Sequence, residues 1–273
     1  MHLTVRDLAR QVEYYEGRVG LRVRSRDGAV QLGAGGEALV TLWENPQATR
    51  PRRTTGLFHF AILMPSRPWL ARTLAHLIRT ETPIAGASDH GVSEALYLSD
   101  PEGNGIEIYR DRPREEWPRE GDGYRMKTDP LDGPGLLAEA RDAPDRGGEL
   151  PPETRIGHIH LHVRAIDEAR QFYVDVLGFQ ETARMGTSAL FVSAGGYHHH
   201  VGLNTWNGIG APAPPAGSQG LRRYEVLLPD ETEIERVASR LRGAGITVER
   251  GDEGLETVDP SGNRIVLRRG PGS

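Results

Sequence analysis

The sequence predicts an α+β chain of four βαβββ modules, paired into two domains, each a curved mixed sheet around a cleft with helices outside. Three observations predict it: an internal repeat, a switch of hydrophobic period inside each repeat, and two matching turns. His2-Leu3-Thr4-Val5-Arg6 returns as His160-Leu161-His162-Val163-Arg164, with Tyr15 and Tyr173 following in register, then Gly20-Leu21 and Gly178-Phe179. Self-similarity of this kind marks repeated supersecondary units. A second unit runs from Gly56-Leu57 to Pro65 and returns from Gly220-Leu221 to Pro229.

Within the second unit, Leu70, Leu74 and Leu77, and later Ile234, Val237 and Leu241, have helical spacing. Alternation in Ala95-Leu96-Tyr97-Leu98 and Ile106-Glu107-Ile108-Tyr109 reads as half-buried strands. Asp100-Pro101-Glu102-Gly103-Asn104-Gly105 and Asp259-Pro260-Ser261-Gly262-Asn263 are tight reversals, where Pro pre-sets φ and Gly supplies positive φ. The order is therefore A-B-A′-B′. Modules A and B are expected to form a domain over residues 1–112, and A′ and B′ another over 153–270. Residues 113–152 bridge them and are rich in Pro, Gly and charge, with a short helix near Leu136–Ala140. Residues 208–219 are a Gly/Pro/Ala loop.

The composition excludes several classes. A net charge of −5 with scattered charges gives no reason to expect nucleic acid or an anionic membrane as partner. No apolar run approaches a membrane span of about 18 residues, and the start Met1-His2-Leu3-Thr4-Val5-Arg6-Asp7 lacks a signal-peptide pattern. A cytoplasmic protein is the expectation. With no cysteine there is no disulfide, no thiolate metal site and no cysteine nucleophile, so any metal must be held by His, Asp or Glu.

The segment from Ser88 to Tyr109 carries the chemistry: His90, then Leu96-Tyr97, then Asp100-Pro101-Glu102-Gly103, then Glu107. This resembles the extradiol dioxygenase motif of the vicinal-oxygen-chelate (glyoxalase/bleomycin resistance/extradiol dioxygenase) superfamily, in its two-domain catechol-2,3-dioxygenase-like group. Gly-Leu-Phe-His-Phe-Ala-Ile at 56–62, Val-Ser-Glu-Ala-Leu-Tyr-Leu at 92–98, Ile-Gly-His-Ile-His-Leu-His-Val at 156–163 and Ser-Ala-Gly-Gly-Tyr-His-His-His at 193–200 share in the resemblance, which spans nearly the whole chain. It implies His59 and Glu107 as metal ligands, with Glu107 turned to the cleft by alternation against Ile106 and Ile108. It also implies Tyr97 as a hydrogen-bond partner of a bound phenolate and His90 as the group that moves protons, a task suited to imidazole near neutral pH.

A non-haem Fe(II) site of this type needs two His and one carboxylate on one face. In module A′ the family's remaining ligand position falls on His158; shifted onto module A, it falls one residue before Met1. Two readings are open. The first strand is truncated, which is the favoured reading, or His2 substitutes, displaced along the same face by roughly 6–7 Å. A second histidine cluster, with His158 and His200 as half of a metal site, has Arg223 in the place of His59 and Val266 in the place of Glu107. The intact pattern lies in the N-terminal half, whereas well-known two-domain extradiol enzymes carry iron in the C-terminal half.

The resemblance implies an Fe(II)-dependent extradiol dioxygenase, with Mn(II) or another divalent ion as the alternative cofactor. Its substrates would be a catechol-type aromatic diol and dioxygen, and a homo-oligomer is compatible with it. The alternatives are a glyoxalase-type metal-dependent isomerase or lyase, which needs more carboxylates, and a non-catalytic small-molecule binder.

Overall fold

All four repeats fold as strand, helix and three strands in a computed structural model that describes residues 1–270. Module A comprises β1 (His2–Val5), α1 (Leu8–Tyr14), β2 (Arg22–Asp27), β3 (Ala29–Gly33) and β4 (Val40–Glu44). Module B comprises β5 (Gly56–Leu63), α2 (Arg67–Arg79), β6 (Gly86–Asp89), β7 (Ser93–Ser99) and β8 (Gly105–Asp111). The bridge contains three two-residue strands, β9 (Arg119–Glu120), β10 (Gly123–Tyr124) and β11 (Asp129–Pro130), followed by the expected short helix as α3 (Gly133–Ala138). Module A′ holds β12 (Arg155–His162), α4 (Ile166–Arg170), β13 (Gln180–Met185), β14 (Ala189–Ser193) and β15 (Val201–Asn204). Module B′ holds β16 (Gly220–Leu228), α5 (Glu231–Gly243), β17 (Glu249–Arg250), β18 (Leu255–Val258) and β19 (Arg264–Arg269).

The helices follow from their sequences. Leu70, Leu74 and Leu77 bury one face of α2, and Ile234, Val237 and Leu241 bury one face of α5. The Asp230 side chain caps α5 by accepting from the Glu233 amide at 2.8 Å. Acidic residues in its first turn and Arg240 and Arg242 in its last suit the helix dipole. Among the described residues, no helix is long and apolar enough to cross a membrane.

The repeated tyrosines and repeated aspartates meet. Tyr15 donates its hydroxyl to Asp100 Oδ2 at 3.0 Å, and Tyr173 donates to Asp259 Oδ2 at 2.9 Å. Each aspartate also takes the amide and side-chain nitrogen of the Asn four residues on, Asn104 or Asn263. Burial pushes the Asp100 carboxyl up, and these hydrogen bonds only partly offset it. The Asp-Pro turns are thus latches that tie the last hairpin of a module to a helical tyrosine, which gives both copies the same structural task. Tyr15→Phe leaves a buried carboxylate one donor short, so chemical denaturation should show a loss of about 1–3 kcal/mol.

The chain divides into two compact units: Val5–Ala48 with Leu57–His160, and Met1–Thr4 with Thr49–Gly56 and Leu161–Ser273. This grouping differs from the 1–112 and 153–270 division expected from module order. Within the first unit the strand order is β11-β6-β7-β8-β5-β12, so module B pairs with the first strand of A′; β4-β3-β2 form a second sheet segment there. Within the second unit β17-β18-β19-β16-β1 are joined, so module B′ pairs with the first strand of A, and β15-β14-β13 form the other segment. The two central pairings have the same register. Ala61 faces Glu107 across parallel β5 and β8, as Glu225 faces Val266 across parallel β16 and β19.

Candidate active site

Three strands of the first unit bring ligand-type side chains to one face of its mixed sheet. β5 supplies His59, β8 supplies Glu107 and β12 supplies His158. Alternation places Ala61 and Leu63, Ala95 and Tyr97, and Tyr109 on the same face. Ala61, Leu63, Ala95 and Tyr109 form a buried apolar cluster with Tyr97 packed against it.

His59 Nε2 lies 3.0 Å and His158 Nε2 3.1 Å from the same atom, Glu107 Oε2. All three residues are buried, at 6%, 4% and 3% exposure for His59, His158 and Glu107. Burial alone would raise the Glu107 carboxyl; the charge and hydrogen bond of His158, and then the His59 imidazole beside it, outweigh it and hold it well below the usual carboxylate range. The short His59–Glu107 approach lacks the geometry of a hydrogen bond, and His59 Nε2 is a buried nitrogen with no hydrogen-bond partner. Such an atom is costly unless something accepts its lone pair. One ligand atom from each residue lies within 4.8 Å of the others. Two imidazoles and one carboxylate on a common face fit a divalent metal with coordination positions left open.

The surroundings hold the ligands in place. The His158 ring packs against Tyr109 with centroids 4.8 Å apart, and the His59 ring against His160 at 5.0 Å, edge to face. Gly157 is required beside His158, because a Cβ there would collide with the Tyr109 hydroxyl. Next to the triad, Tyr97 faces Glu107 directly across β7 and β8. Its hydroxyl is 2.6 Å from His90 Nε2. Burial first, and then the charge and hydrogen bond of Glu107, push the Tyr97 phenol far above its ordinary value, so it stays protonated.

His59, Glu107, Tyr97 and His90, the residues to which the resemblance points, thus lie together. His2 does not join them. It lies in the other unit, where its Nε2 is 2.7 Å from Glu225 Oε1. His2, Glu225 and Glu253 also cluster there, but Arg268 bonds Glu225 and Arg223 bonds Glu253 at 2.6 Å, so guanidinium groups already neutralise the carboxylates. The pairing of His158 with His200 is likewise not formed. His158 belongs with Glu107, while His200 Nδ1 accepts from the Ala194 amide at 3.2 Å and its ring packs on Tyr197 within the other unit. His158, from β12, stands as the third member of the cluster with His59 and Glu107. The signal was in the sequence, since His158 stands at the family's ligand position; what the sequence order concealed was that A′ pairs with B.

The Glyoxalase/Bleomycin resistance protein/Dioxygenase superfamily profile matches residues 1–108 and 155–267. A catechol-2,3-dioxygenase of Bacillus subtilis (strain 168) is 49% identical over 264 residues, covering 94% of this chain and 92% of its own. Among solved structures, a putative dioxygenase from Bacillus subtilis aligns with TM-score 0.63 at 16% identity, covering 99% of this chain and 85% of that one. Glyoxalase I from Zea mays aligns with TM-score 0.59 at 17% identity, covering 98% and 90%. These two structures share the fold. With the profile covering both repeated halves and a relative 49% identical over 94% of the chain, the chain is a member of the Glyoxalase/Bleomycin resistance protein/Dioxygenase superfamily.

Proposed function

We propose that this chain is an extradiol dioxygenase that opens a catechol-type ring beside its two hydroxyls, inserting both atoms of dioxygen, with Fe(II) held by His59, Glu107 and His158. The observation that carries the reading is the buried triad with the Tyr97–His90 pair alongside it. The 49% identity to a catechol-2,3-dioxygenase supports it. When bound, Fe(II) would supply Lewis acidity toward the diol and open positions for diol and oxygen.

The chain's own groups do the rest. Glu107 provides the only negative charge of the triad, so a cation is favoured over a neutral guest. Tyr97, kept protonated, offers a hydroxyl to a phenolate oxygen. His90, in contact with that hydroxyl, can take and return a proton as general base and acid. The apolar cluster of Ala61, Leu63, Ala95 and Tyr109 gives the same face a dry floor suited to an aromatic ring. A glyoxalase-type isomerase is less well served, because the triad contains a single carboxylate.

The test is oxygen uptake by protein loaded anaerobically with Fe(II) and offered a panel of small catechols. A yellow ring-fission product formed with one O₂ consumed per diol is expected. Tight catechol binding without oxygen consumption, with either Fe(II) or Mn(II), would reject the reading in favour of a binding protein.

A further inference from the structure

The stretch joining the two halves of the sequence is more than a connector. After β8, Trp117 donates its indole N–H to the Arg112 carbonyl at 2.8 Å and packs edge to face on Tyr124 at 5.2 Å, folding the β9–β10 hairpin back. The chain then runs along module B, where Asp129 and Pro130 of β11 pair with Asp89 and Ser88 of β6. Between these anchorages, the Lys127 carbonyl lies 2.7 Å from His90 Nδ1.

That contact decides where the His90 proton sits. A carbonyl only accepts, so Nδ1 must carry the hydrogen. A neutral imidazole has one N–H, which leaves Nε2 as a bare lone pair pointed at the Tyr97 hydroxyl 2.6 Å away. The Tyr97 hydroxyl can then donate to that lone pair.

We propose that the bridge is part of the active site: through the Lys127 carbonyl it locks His90 as the Nδ1–H tautomer, so that Nε2 alone faces the Tyr97 hydroxyl as an acceptor. Lys127 is a positioning residue, acting by its backbone. The relevance to catalysis rests on the dioxygenase reading; the tautomer does not.

Imidazole ¹⁵N spectra of the full-length chain, loaded with diamagnetic Zn(II) and kept about two pH units above the ordinary imidazole value of about 6.5, read the tautomer directly. The His90 signals are those lost in His90→Gln. A pyrrole-type Nδ1 and a pyridine-type Nε2 are expected; the reverse assignment overturns the proposal. The role of Lys127 is tested with Gly91→Val. Gly91 has φ +77°, and a Cβ there would come within 3.0 Å of Lys127 Cε and 3.2 Å of Pro118 Cγ, so the larger side chain should push the bridge away. The expected result is an averaged His90 tautomer, a kcat lowered more than KM is raised, and Zn(II) retention unchanged. A locked Nδ1–H tautomer persisting after the amide signals of 119–130 have shifted would show that Lys127 is not what holds it. Where Gly91→Val does not fold, the wild-type tautomer decides. An absence of ring cleavage with the expected tautomer would sink the dioxygenase reading and leave this one standing.

Discussion

Glu107→Gln is expected to abolish metal retention and oxygen consumption together. The carboxylate sits between two imidazole nitrogens at 3.0 and 3.1 Å and is the only anion among the three ligand-type residues. The amide has nearly the same shape but brings no charge, and its NH₂ group offers no lone pair. Losing a partner that merely supports a ligand costs about 10–100-fold in metal affinity or activity, and losing the charged ligand itself should exceed that range. Metal content after gel filtration and oxygen uptake are the measurements, with circular dichroism to establish that the variant folds. Undiminished Fe(II) retention would remove Glu107 from the site.

His158→Ala should be nearly as damaging, while His2→Ala should leave metal retention untouched. Both histidines lie on first strands of equivalent modules, so this pair of variants separates sequence order from spatial pairing. His158 shares Glu107 Oε2 with His59, whereas His2 bonds Glu225 in the other unit. His158→Ala therefore removes one of two imidazole ligands and leaves the Glu107 carboxylate with one imidazole instead of two. His2→Ala costs stability only, about 1–3 kcal/mol for a deleted hydrogen bond to a mostly buried carboxylate. Metal loss in His2→Ala with retention in His158→Ala would reverse the assignment.

The contrast shows what was legible in the sequence. His59, Tyr97, His90 and Glu107 could be placed because the stretches that resemble the family's motif are each contiguous in sequence, and alternation within β8 turns Glu107 to the cleft. The four-module pattern was legible for the same reason, each helix and hairpin being written in short-range periodicity. The third ligand was not, because it depends on which module's first strand lies beside β5. His2 and His158 belong to strands of like pattern, and alternation is satisfied by either pairing. The repeated aspartates point the same way. Asp100 and Asp259 stood out as turn formers, but the tyrosine hydroxyls that bind them come from helical positions 85 and 86 residues away. The role of the bridge was hidden too, since its contribution is a main-chain carbonyl, and every residue has one.

The exchange of first strands between modules also sets an order in time. His158 stands 51 residues after Glu107. During synthesis the chain therefore emerges with module B, its helix and the whole bridge before the last ligand exists. Until β12 has been made and laid beside β5, a nascent chain presents one imidazole and one carboxylate, a weak and unselective pair. Assembly of the triad is thereby deferred until well into translation of the second half, and a chain released early, by a stop codon or by proteolysis in the bridge, would lack it.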